Sequence, residues 1–185
     1  MFVTARNRKV LTTSFAKVMI VSNDTRNLFE NSGLRLITLD ETSLEMRPEP
    51  FTWIDAGEEV KSSDPAYVVF TSGSTGLPKG IVIEHAALCT SALNYGKALA
   101  ISQSSRVLQF ASCTFDVSVG EVLTTLMHGG CVCIPSDEER LSELPNCVNR
   151  YQVNWLYLTS SIALLIKPSD VPSLRTLVVG GEAVH

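Results

Sequence analysis

Short apolar runs rich in Val, Ile and Leu alternate along this chain with segments whose apolar residues recur at helical spacing. The runs predict β-strands at residues 16–22, 34–39, 67–70, 81–83, 106–112, 131–134, 153–159 and 174–179. The spaced segments predict α-helices at residues 25–31, 86–100, 141–151 and 162–167, and one that follows the residues around Asp116 and ends at Met127. No element is predicted before residue 16. Because alternating strands and helices build parallel sheets, we expect an α/β fold with partial parallel sheet layers flanked by helices.

An acidic stretch that contains several prolines separates the first predicted β-α-β unit from the rest of the chain. This stretch, residues 40–65, predicts a surface connection. The expected regions are a β-α-β start at residues 1–47, a linker at 48–66, and a phosphate-loop and substrate-pocket region at 67–185. Residues 135–140 are rich in charge and predict a second loop.

The connection between the predicted strands at 67–70 and 81–83 consists almost wholly of hydroxyl residues, glycines, one proline and one lysine. Glycines let the backbone turn its N–H groups into a concavity, and hydroxyl and ammonium groups add donors, so the loop suits a polyphosphate. The candidate phosphate-binding residues are Thr71, Ser72, Gly73, Ser74, Thr75, Gly76, Lys79 and Gly80. A Walker loop runs from its lysine into a helix, whereas Lys79 is followed by a strand, which argues against a P-loop NTPase. A polar loop that only joins two strands is the alternative.

Residues 67–80 read Tyr-Val-Val-Phe-Thr-Ser-Gly-Ser-Thr-Gly-Leu-Pro-Lys-Gly, which resembles the signature loop of the AMP-forming adenylating enzymes. That superfamily includes the acyl-CoA synthetases, the firefly luciferases and the adenylation domains of nonribosomal peptide synthetases. The resemblance implies an AMP-forming ligase whose loop holds the β- and γ-phosphates of ATP while a substrate carboxylate attacks the α-phosphate. The products would be pyrophosphate and an acyl adenylate.

Asp116 follows the predicted strand at 106–112 and lies in the sequence Phe-Asp-Val-Ser-Val-Gly-Glu at residues 115–121. By itself, an aspartate at a strand-to-helix junction is more often a helix cap than a ligand. These residues resemble a motif of peptide-synthetase adenylation domains in which the aspartate pairs with the α-ammonium group of the amino acid. The resemblance favours amino-acid activation over an acyl-CoA synthetase, because a fatty or aryl acid has no ammonium group.

The same resemblance assigns the remaining substrate-binding positions. Together with Asp116, the pocket residues would be Phe115, Val117, Gly120, Tyr157, Val178 and Gly180. The positions that would surround the substrate side chain carry no charge, and two of them are glycines, so we expect an apolar or aromatic amino acid.

Two further features match the family less specifically. Gly180, Gly181 and Glu182 resemble the segment that borders adenine, although a Gly-Gly pair at a strand end is otherwise an ordinary turn. His85 corresponds to a histidine often found after the phosphate loop, and a polar residue at a helix start explains it equally well.

The resemblance implies ATP and Mg²⁺ as cofactors, and as partner a peptidyl carrier domain with phosphopantetheine in a larger synthetase. The family's Asn-x-Tyr-Gly-Pro-Thr-Glu segment, a carboxylate for Mg²⁺, a ribose-binding aspartate and a C-terminal subdomain with a lysine would follow residue 185. We therefore expect an internal fragment with no metal ligand of its own, inactive and poorly soluble alone. An acyl-CoA synthetase-like fragment, or an inactive remnant that keeps the fold and weak nucleotide binding, is the alternative.

Composition limits the other partners. Of the 185 residues, 45% are hydrophobic and 18% are charged, as in a globular protein, and the net charge of −4 argues against nucleic acid and anionic membranes. No apolar stretch has the length of a membrane span, and no secretory signal is expected. Five scattered cysteines indicate reduced thiols in the cytoplasm. Cys131 and Cys133, with His128, lack the spacing of a zinc site and are interpreted as small hydrophobic residues.

Overall fold

The computed structural model describes residues 5–40, 59–72 and 78–183. The chain divides into two compact units, residues 1–83 and 84–185. The first unit opens with helix α1 (Ala5–Thr13), which the apolar pattern does not predict. Its last turn is closed by the hydroxyls of Thr12 and Thr13, which donate to the Lys9 carbonyl at 3.0 and 2.6 Å. Local polar bonds of this kind leave no periodic hydrophobic signal in a sequence.

The predicted β-α-β start is confirmed in the first unit. Strands β1 (Val18–Val21) and β2 (Arg35–Thr38) pair in parallel. Helix α2 (Asn23–Phe29) begins two residues before the predicted helix because its N-cap is Ser22. The Ser22 N–H donates to the Thr25 hydroxyl at 3.2 Å, and the two hydroxyls lie 2.9 Å apart, which stabilises the first turn.

The predicted strand-loop-strand segment is present with different boundaries. Strand β3 (Pro65–Ser72) begins inside the predicted linker, two residues before the predicted strand. Strand β4 (Pro78–Glu84) takes in Lys79 and Gly80, which the prediction assigns to the loop. In the part of the chain that the structure describes, β3 and β4 pair only with each other. Among the described residues, the strands on either side of the candidate phosphate loop therefore form a two-stranded sheet of their own.

The second unit contains a four-stranded sheet and its helices. The strands are β5 (Arg106–Leu108), β6 (Cys131–Cys133), β7 (Trp155–Leu158) and β8 (Thr176–Val179). The helices are α3 (His85–Ala98), α4 (Asp116–Val119), α5 (Thr125–Met127), α6 (Asp137–Ser142), α7 (Leu144–Arg150) and α8 (Ser160–Ala163), with a π-helix at Gly120–Thr124 and a 3₁₀-helix at Pro168–Asp170. The strand order is β6-β5-β7-β8, and neighbouring strands are parallel. The predicted alternation of strands and helices is confirmed.

Successive residues of each strand point to opposite faces of this sheet, and each face has its own core. The larger core consists of Leu108, Cys133, Leu144, Cys147, Val148, Val153, Leu156, Leu158 and Val171. On the other face, Val107 and Trp155 are buried with Ile101, which follows α3 in the chain. Tyr157 and Val178, two predicted pocket residues, pack against this second core and therefore face the same side of the sheet as Ile101.

Three local predictions are wrong. Helix α6 occupies the predicted charged loop because Ser136 and Glu139 form a capping box, with the Glu139 N–H donating to the Ser136 hydroxyl at 3.2 Å. Strand β5 ends at Leu108, four residues before the predicted end. Helix α8 begins at Ser160, after the N-cap Thr159, and it is shorter than the predicted helix at 162–167.

Candidate active site

The carboxyl ends of β5, β7 and β8 lie at one edge of the sheet because these strands are parallel. Asp116 opens the helix that follows β5. Gly180 directly follows β8, where its N–H donates to the Leu158 carbonyl at 3.1 Å. Ligands of open α/β sheets bind in the crevice outside the carboxyl ends of parallel strands. Asp116 and Gly180, two of the predicted substrate residues, thus fall at the same end of one sheet.

Asp116 is the first residue of α4, and Phe115, rather than Asp116, occupies the N-cap position. The Asp116 side chain is exposed and makes no capping bond, and no described residue forms an ion pair with it. Its neighbour Phe115 is 63% exposed. The helix-cap explanation of Asp116 is therefore wrong, and its carboxylate is free to meet a cation.

Residues 116–127 form one helix, which ends at Met127 as predicted, but its middle turn at Gly120–Thr124 is a π-helix. Single π-turns inside α-helices are rare overall, and those that do occur often lie at functional sites. Gly120 opens this turn, and a Cβ built on it would meet no atom within 4 Å. The space beside Gly120 is therefore open, as expected for a pocket position, and Val117 lies one turn before it on the same helix.

Glu121, the second residue of the π-turn, is only 2% exposed. Its Oε2 accepts the N–H of Phe110 at 3.1 Å and the N–H of Ala111 at 3.0 Å. The side-chain amide of Gln109 donates to the same oxygen at 3.4 Å. Buried backbone N–H groups need acceptors, and here a carboxylate takes the place of a neighbouring strand. This substitution explains why β5 ends at Leu108.

The surroundings of Glu121 favour its neutral form. Burial raises the pKa of Glu121 from an ordinary 4.5 to about 7, although the N–H groups of Ala111 and Phe110, the Gln109 amide and the charge of Arg140 all act to lower it. Arg140 of α6 also donates to the Phe110 carbonyl at 2.6 Å. The peptide after β5 is thus held by a carboxylate on its N–H side and a guanidinium on its carbonyl side.

Tyr95 of α3 belongs to the same region. Burial raises the pKa of the Tyr95 phenol, and the nearby Tyr157 and Glu121 raise it further. Tyr95 keeps 36% of its surface exposed. Tyr95 of α3 therefore lies close enough to Tyr157 of β7 and Glu121 of the π-turn for both to disfavour its ionised form.

Tyr157 and Gly180 are in direct contact. A Cβ built on Gly180 would lie 2.3 Å from the Tyr157 hydroxyl oxygen and 3.2 Å from its Cζ. Val178 is the partner of Tyr157 in the β7–β8 register. The structure thus brings together three of the predicted pocket residues, and it adds a reason for the glycine, because the phenol approaches its Cα closely.

Gly180→Ala is expected to destabilise the chain by roughly 1–3 kcal/mol because the new Cβ overlaps the Tyr157 hydroxyl. The double variant with Tyr157→Phe lacks that oxygen, and it should recover most of the loss. Urea denaturation of the wild type, the two single variants and the double variant measures the coupling. If the losses in free energy of unfolding of the two single variants add up to that of the double variant, Tyr157 and Gly180 are not in contact.

The segment after Gly180 is tied to the start of α8. Gly181 has a φ of +87°, which a residue with a side chain rarely adopts. The Glu182 carboxylate accepts the Ser161 N–H, and hydrogen bonds from Ser161 lower the pKa of Glu182. The Ser160 hydroxyl donates to the Ala183 carbonyl at 2.9 Å. The Glu182 side chain therefore supports local structure, and only the backbone of this segment is left for the predicted contact with adenine.

The candidate phosphate-binding residues are described only in part. Gly73, Ser74, Thr75 and Gly76, and the side chain of Ser72, lie outside the described residues. Thr71 in β3 and Lys79 in β4 are exposed. Gly80 has a separate packing reason, because a Cβ there would lie 3.2 Å from the Phe70 ring and 3.3 Å from Val68. Phosphate binding by this segment stays a prediction.

Within residues 5–40, 59–72 and 78–183, no group of three His, Cys, Asp or Glu side chains could hold a metal ion. Nδ1 of His128 lies 2.9 Å from the Thr124 carbonyl oxygen, and the imidazole ring packs over Gly96. Cys133 is buried as predicted, whereas Cys131 is exposed. Among the helices of the described segments, none has the length and hydrophobicity to cross a bilayer.

The sequence analysis did not identify Glu121 and Tyr95 as site residues. A signal for Glu121 exists, because it lies three residues after Ser118 and four before Thr125, on a helix face with no Lys or Arg at either spacing. Ser118 is 7% and Thr125 0% exposed, so this face is buried. A carboxylate on such a face must find uncharged donors. No comparable signal marks Tyr95, whose spacing resembles that of an ordinary core residue.

The chain is similar to known proteins over nearly its whole length. Residues 2–185 match the AMP-binding enzyme family. The nonribosomal peptide synthetase TES of Alternaria alternata is 44% identical over 181 residues, which cover 97% of this chain and 3% of that protein. A nonribosomal peptide synthetase of Pyrenophora dematioidea is 43% identical over 183 residues, which cover 97% of this chain and 14% of that protein. The chain thus spans a small part of the length of these relatives.

A solved structure shares the fold. The anthranilate CoA ligase AuaEII in complex with anthranoyl-AMP superposes with a TM-score of 0.79 at 24% identity, over 96% of this chain and 38% of that chain. At this identity the likeness shows the architecture and not the substrate. It confirms the predicted α/β fold with parallel sheet layers and flanking helices.

Proposed function

This chain belongs to the AMP-binding enzyme family, and from that premise we propose that it forms part of a domain that activates an amino acid with ATP. A carboxylate oxygen of the amino acid would bond to the α-phosphorus, the bond to pyrophosphate would break, and an aminoacyl adenylate would remain. The observation that carries the proposal is Asp116, an exposed carboxylate without a capping bond at the carboxyl end of a parallel sheet. The similarity to two nonribosomal peptide synthetases supports it.

Asp116 suits an ammonium group for physical reasons. Exposed to water, the carboxylate needs no protein partner. Once a substrate covers it, the carboxylate requires a cation or strong donors, because burying an unpaired charge is costly. The α-ammonium of an amino acid supplies both a charge and directed hydrogen bonds. A fatty or aryl acid would cover Asp116 without either, which is why we propose amino acids as the substrate class.

The substrate side chain would lie between the π-turn and the face of β7 and β8. Val117 and Val178 offer apolar surface there, and the space beside Gly120 is open. Tyr157, packed against Gly180, would close one side. We propose an apolar or aromatic side chain, since these residues would leave an ionised side chain without a partner.

The phosphates would bind to residues 71–80. The hydroxyls of Thr71, Ser74 and Thr75 and the charge of Lys79 would stabilise negative charge on the β- and γ-phosphates as pyrophosphate leaves. The backbone of residues 180–182 would border adenine. ATP would bring Mg²⁺, for which no ligand is proposed among the described residues.

The proposed partner is a peptidyl carrier domain. The thiol sulfur of its phosphopantetheine would attack the carbonyl carbon of the adenylate, and AMP would leave as the thioester forms.

The proposed regions of the chain are residues 1–47, 48–66 and 67–185. The five cysteines are free, which supports a reducing compartment such as the cytoplasm.

The test is substrate-dependent exchange of labelled pyrophosphate into ATP. Residues 2–185 replace the matched segment of the Pyrenophora dematioidea synthetase, a protein called the graft below, and the unmodified host is the positive control. The graft is assayed with each common amino acid, with anthranilate and with a fatty acid. We expect exchange with an apolar or aromatic amino acid and none with acids that lack an ammonium group. Lys79→Ala should lower the rate by about 10²-fold.

Lys97→Ala is the matched control, because Lys97 is a second exposed lysine, in the last turn of α3. We expect it to leave exchange unchanged. A folded graft that responds only to anthranilate or the fatty acid would disprove the amino-acid assignment. Exchange that survives Lys79→Ala at the wild-type rate would disprove the phosphate role of Lys79.

A further inference from the structure

Glu121 is a buried carboxylate that has no role in the proposed reaction. Its oxygens accept hydrogen bonds from the N–H groups of Phe110 and Ala111 and from the side chain of Gln109. These donors follow β5, whereas Glu121 lies in the π-turn. The carboxylate therefore joins two segments that are at least ten residues apart in the chain.

The residues between the two ends of this connection include the proposed ammonium ligand. Between Ala111 and Glu121 the chain forms an exposed turn and then α4, which begins at Asp116. The bonds within this stretch are local: the hydroxyls of Ser112 and Thr114 lie 3.0 Å apart, and the Ser118 hydroxyl donates to the Phe115 carbonyl at 2.7 Å. A stretch that has only local hydrogen bonds and much exposed surface is held in place mainly by the contacts at its two ends.

The π-turn makes the position of Glu121 specific. A π-turn holds one more residue than an α-turn, and one residue rotates a helix by about 100°. Gly120 faces open space while Glu121, the next residue, is buried against the end of β5. Rewinding the turn to α geometry would rotate the Asp116 side of the helix relative to the residues after Glu121.

We propose that Glu121 is a positioning residue of the amino-acid site: through Phe110 and Ala111 it holds Asp116 and Gly120 where the substrate ammonium and side chain would lie. The inference rests on the proposed amino-acid activation and extends it by one residue. Glu121 touches no substrate. Its removal should therefore weaken use of the amino acid more than use of ATP.

The first measurement is the KM for the amino acid and for ATP in pyrophosphate exchange by the graft. Glu121→Ala leaves the two amides without an acceptor, and it should raise the amino-acid KM about tenfold or more while the ATP KM stays within about twofold. Glu121→Gln keeps an acceptor oxygen and should restore the wild-type KM. Thr125→Val is the matched control, because it removes a buried hydroxyl that bonds only within the helix, to the Glu121 carbonyl at 2.6 Å.

The second measurement is amide hydrogen exchange of the 185-residue chain, which requires no catalysis. Glu121→Ala should speed exchange at Phe110, Ala111 and residues 116–124 by about tenfold or more, and Glu121→Gln should not. A Glu121→Ala chain with wild-type exchange at residues 116–124 would overturn the proposal. An equal rise of both KM values, or the same KM change in Thr125→Val, would also overturn it by showing a general loss of structure. Failure of the parent graft to use any amino acid is a distinct result that counts against the proposed function.

Discussion

Asp116→Asn is expected to lower kcat/KM for the amino acid in the graft by roughly 10²- to 10³-fold. Asparagine keeps the shape of the side chain and one acceptor oxygen but removes the counter-charge, so the charge of the covered ammonium group would be left uncompensated. Removing one member of a buried charge pair costs about 3–5 kcal/mol, and each 1.4 kcal/mol is a factor of ten. The measurement is pyrophosphate exchange at several amino-acid concentrations.

Asp170→Asn is the matched control for this prediction. Asp170 is also exposed and also lies in a short helix, the 3₁₀-helix Pro168–Asp170, but it is not part of the proposed site. We expect its replacement to change kcat/KM by no more than about twofold. If Asp116→Asn behaves like Asp170→Asn, Asp116 does not bind the ammonium group, and the preference for amino acids loses its physical basis.

The central strands of the larger sheet were predictable because they are covered on both faces. Strand β7 (Trp155–Leu158) lies inside an apolar run, and its residues alternate between the two cores. Runs of this kind stand out in a sequence whatever the details of packing. The ends of these strands were less predictable. The last residues of an apolar run need not pair with a neighbouring strand when side chains form hydrogen bonds with their backbone N–H and C=O groups.

The helices that the sequence did not predict are stabilised by polar groups. Helix α6 starts with the reciprocal bonds of Ser136 and Glu139, and α1 ends with hydroxyl bonds to the Lys9 carbonyl. Neither helix has an apolar stripe that would have indicated its period. The Ser-x-x-Glu spacing at residues 136–139 was a usable signal for α6, but the surrounding charges favoured the interpretation as a loop.

The site shows the same division. The motif around Asp116 identified its position, and the structure adds that its carboxylate is free of a capping bond. Glu121 was not assigned despite the signal on its helix face, because the predicted strand extended to residue 112 and so gave Phe110 and Ala111 ordinary ladder partners. Because β5 ends at Leu108, the N–H groups of Phe110 and Ala111 donate to a side chain, Glu121, instead of to a neighbouring strand. Similarly, the sequence marks Gly180 but not the Tyr157 hydroxyl that lies against it.

The pH dependence of unfolding provides a test of the Glu121 environment that is independent of activity. Burial raises the pKa of Glu121 from 4.5 to about 7, so the folded state holds the proton more tightly than the unfolded state. The stability that this proton contributes is complete below pH 4.5 and is lost as the pH rises through about 7. One such group changes the free energy of unfolding by at most about 1.4 kcal/mol per pH unit, or roughly 3 kcal/mol over this range.

Glu121→Gln should remove this dependence, because glutamine keeps an acceptor and never ionises. We expect the variant to match the wild type near pH 4.5 and to exceed its free energy of unfolding by about 3 kcal/mol at pH 8. Trp155, which is 2% exposed, reports unfolding of the second unit by fluorescence if Trp53→Phe is present in every chain.

Glu139→Gln is the control with the opposite sign. Hydrogen bonds from Ser136 lower the pKa of Glu139, so its contribution to stability is present above the unfolded pKa and is lost as the pH falls. Its replacement should therefore reduce stability at pH 8 rather than raise it. Wild-type and Glu121→Gln curves that run parallel from pH 4.5 to 8 would show that Glu121 is ionised in the folded chain throughout. The hydrogen bonds from the two amides would then offset the burial of the carboxylate completely.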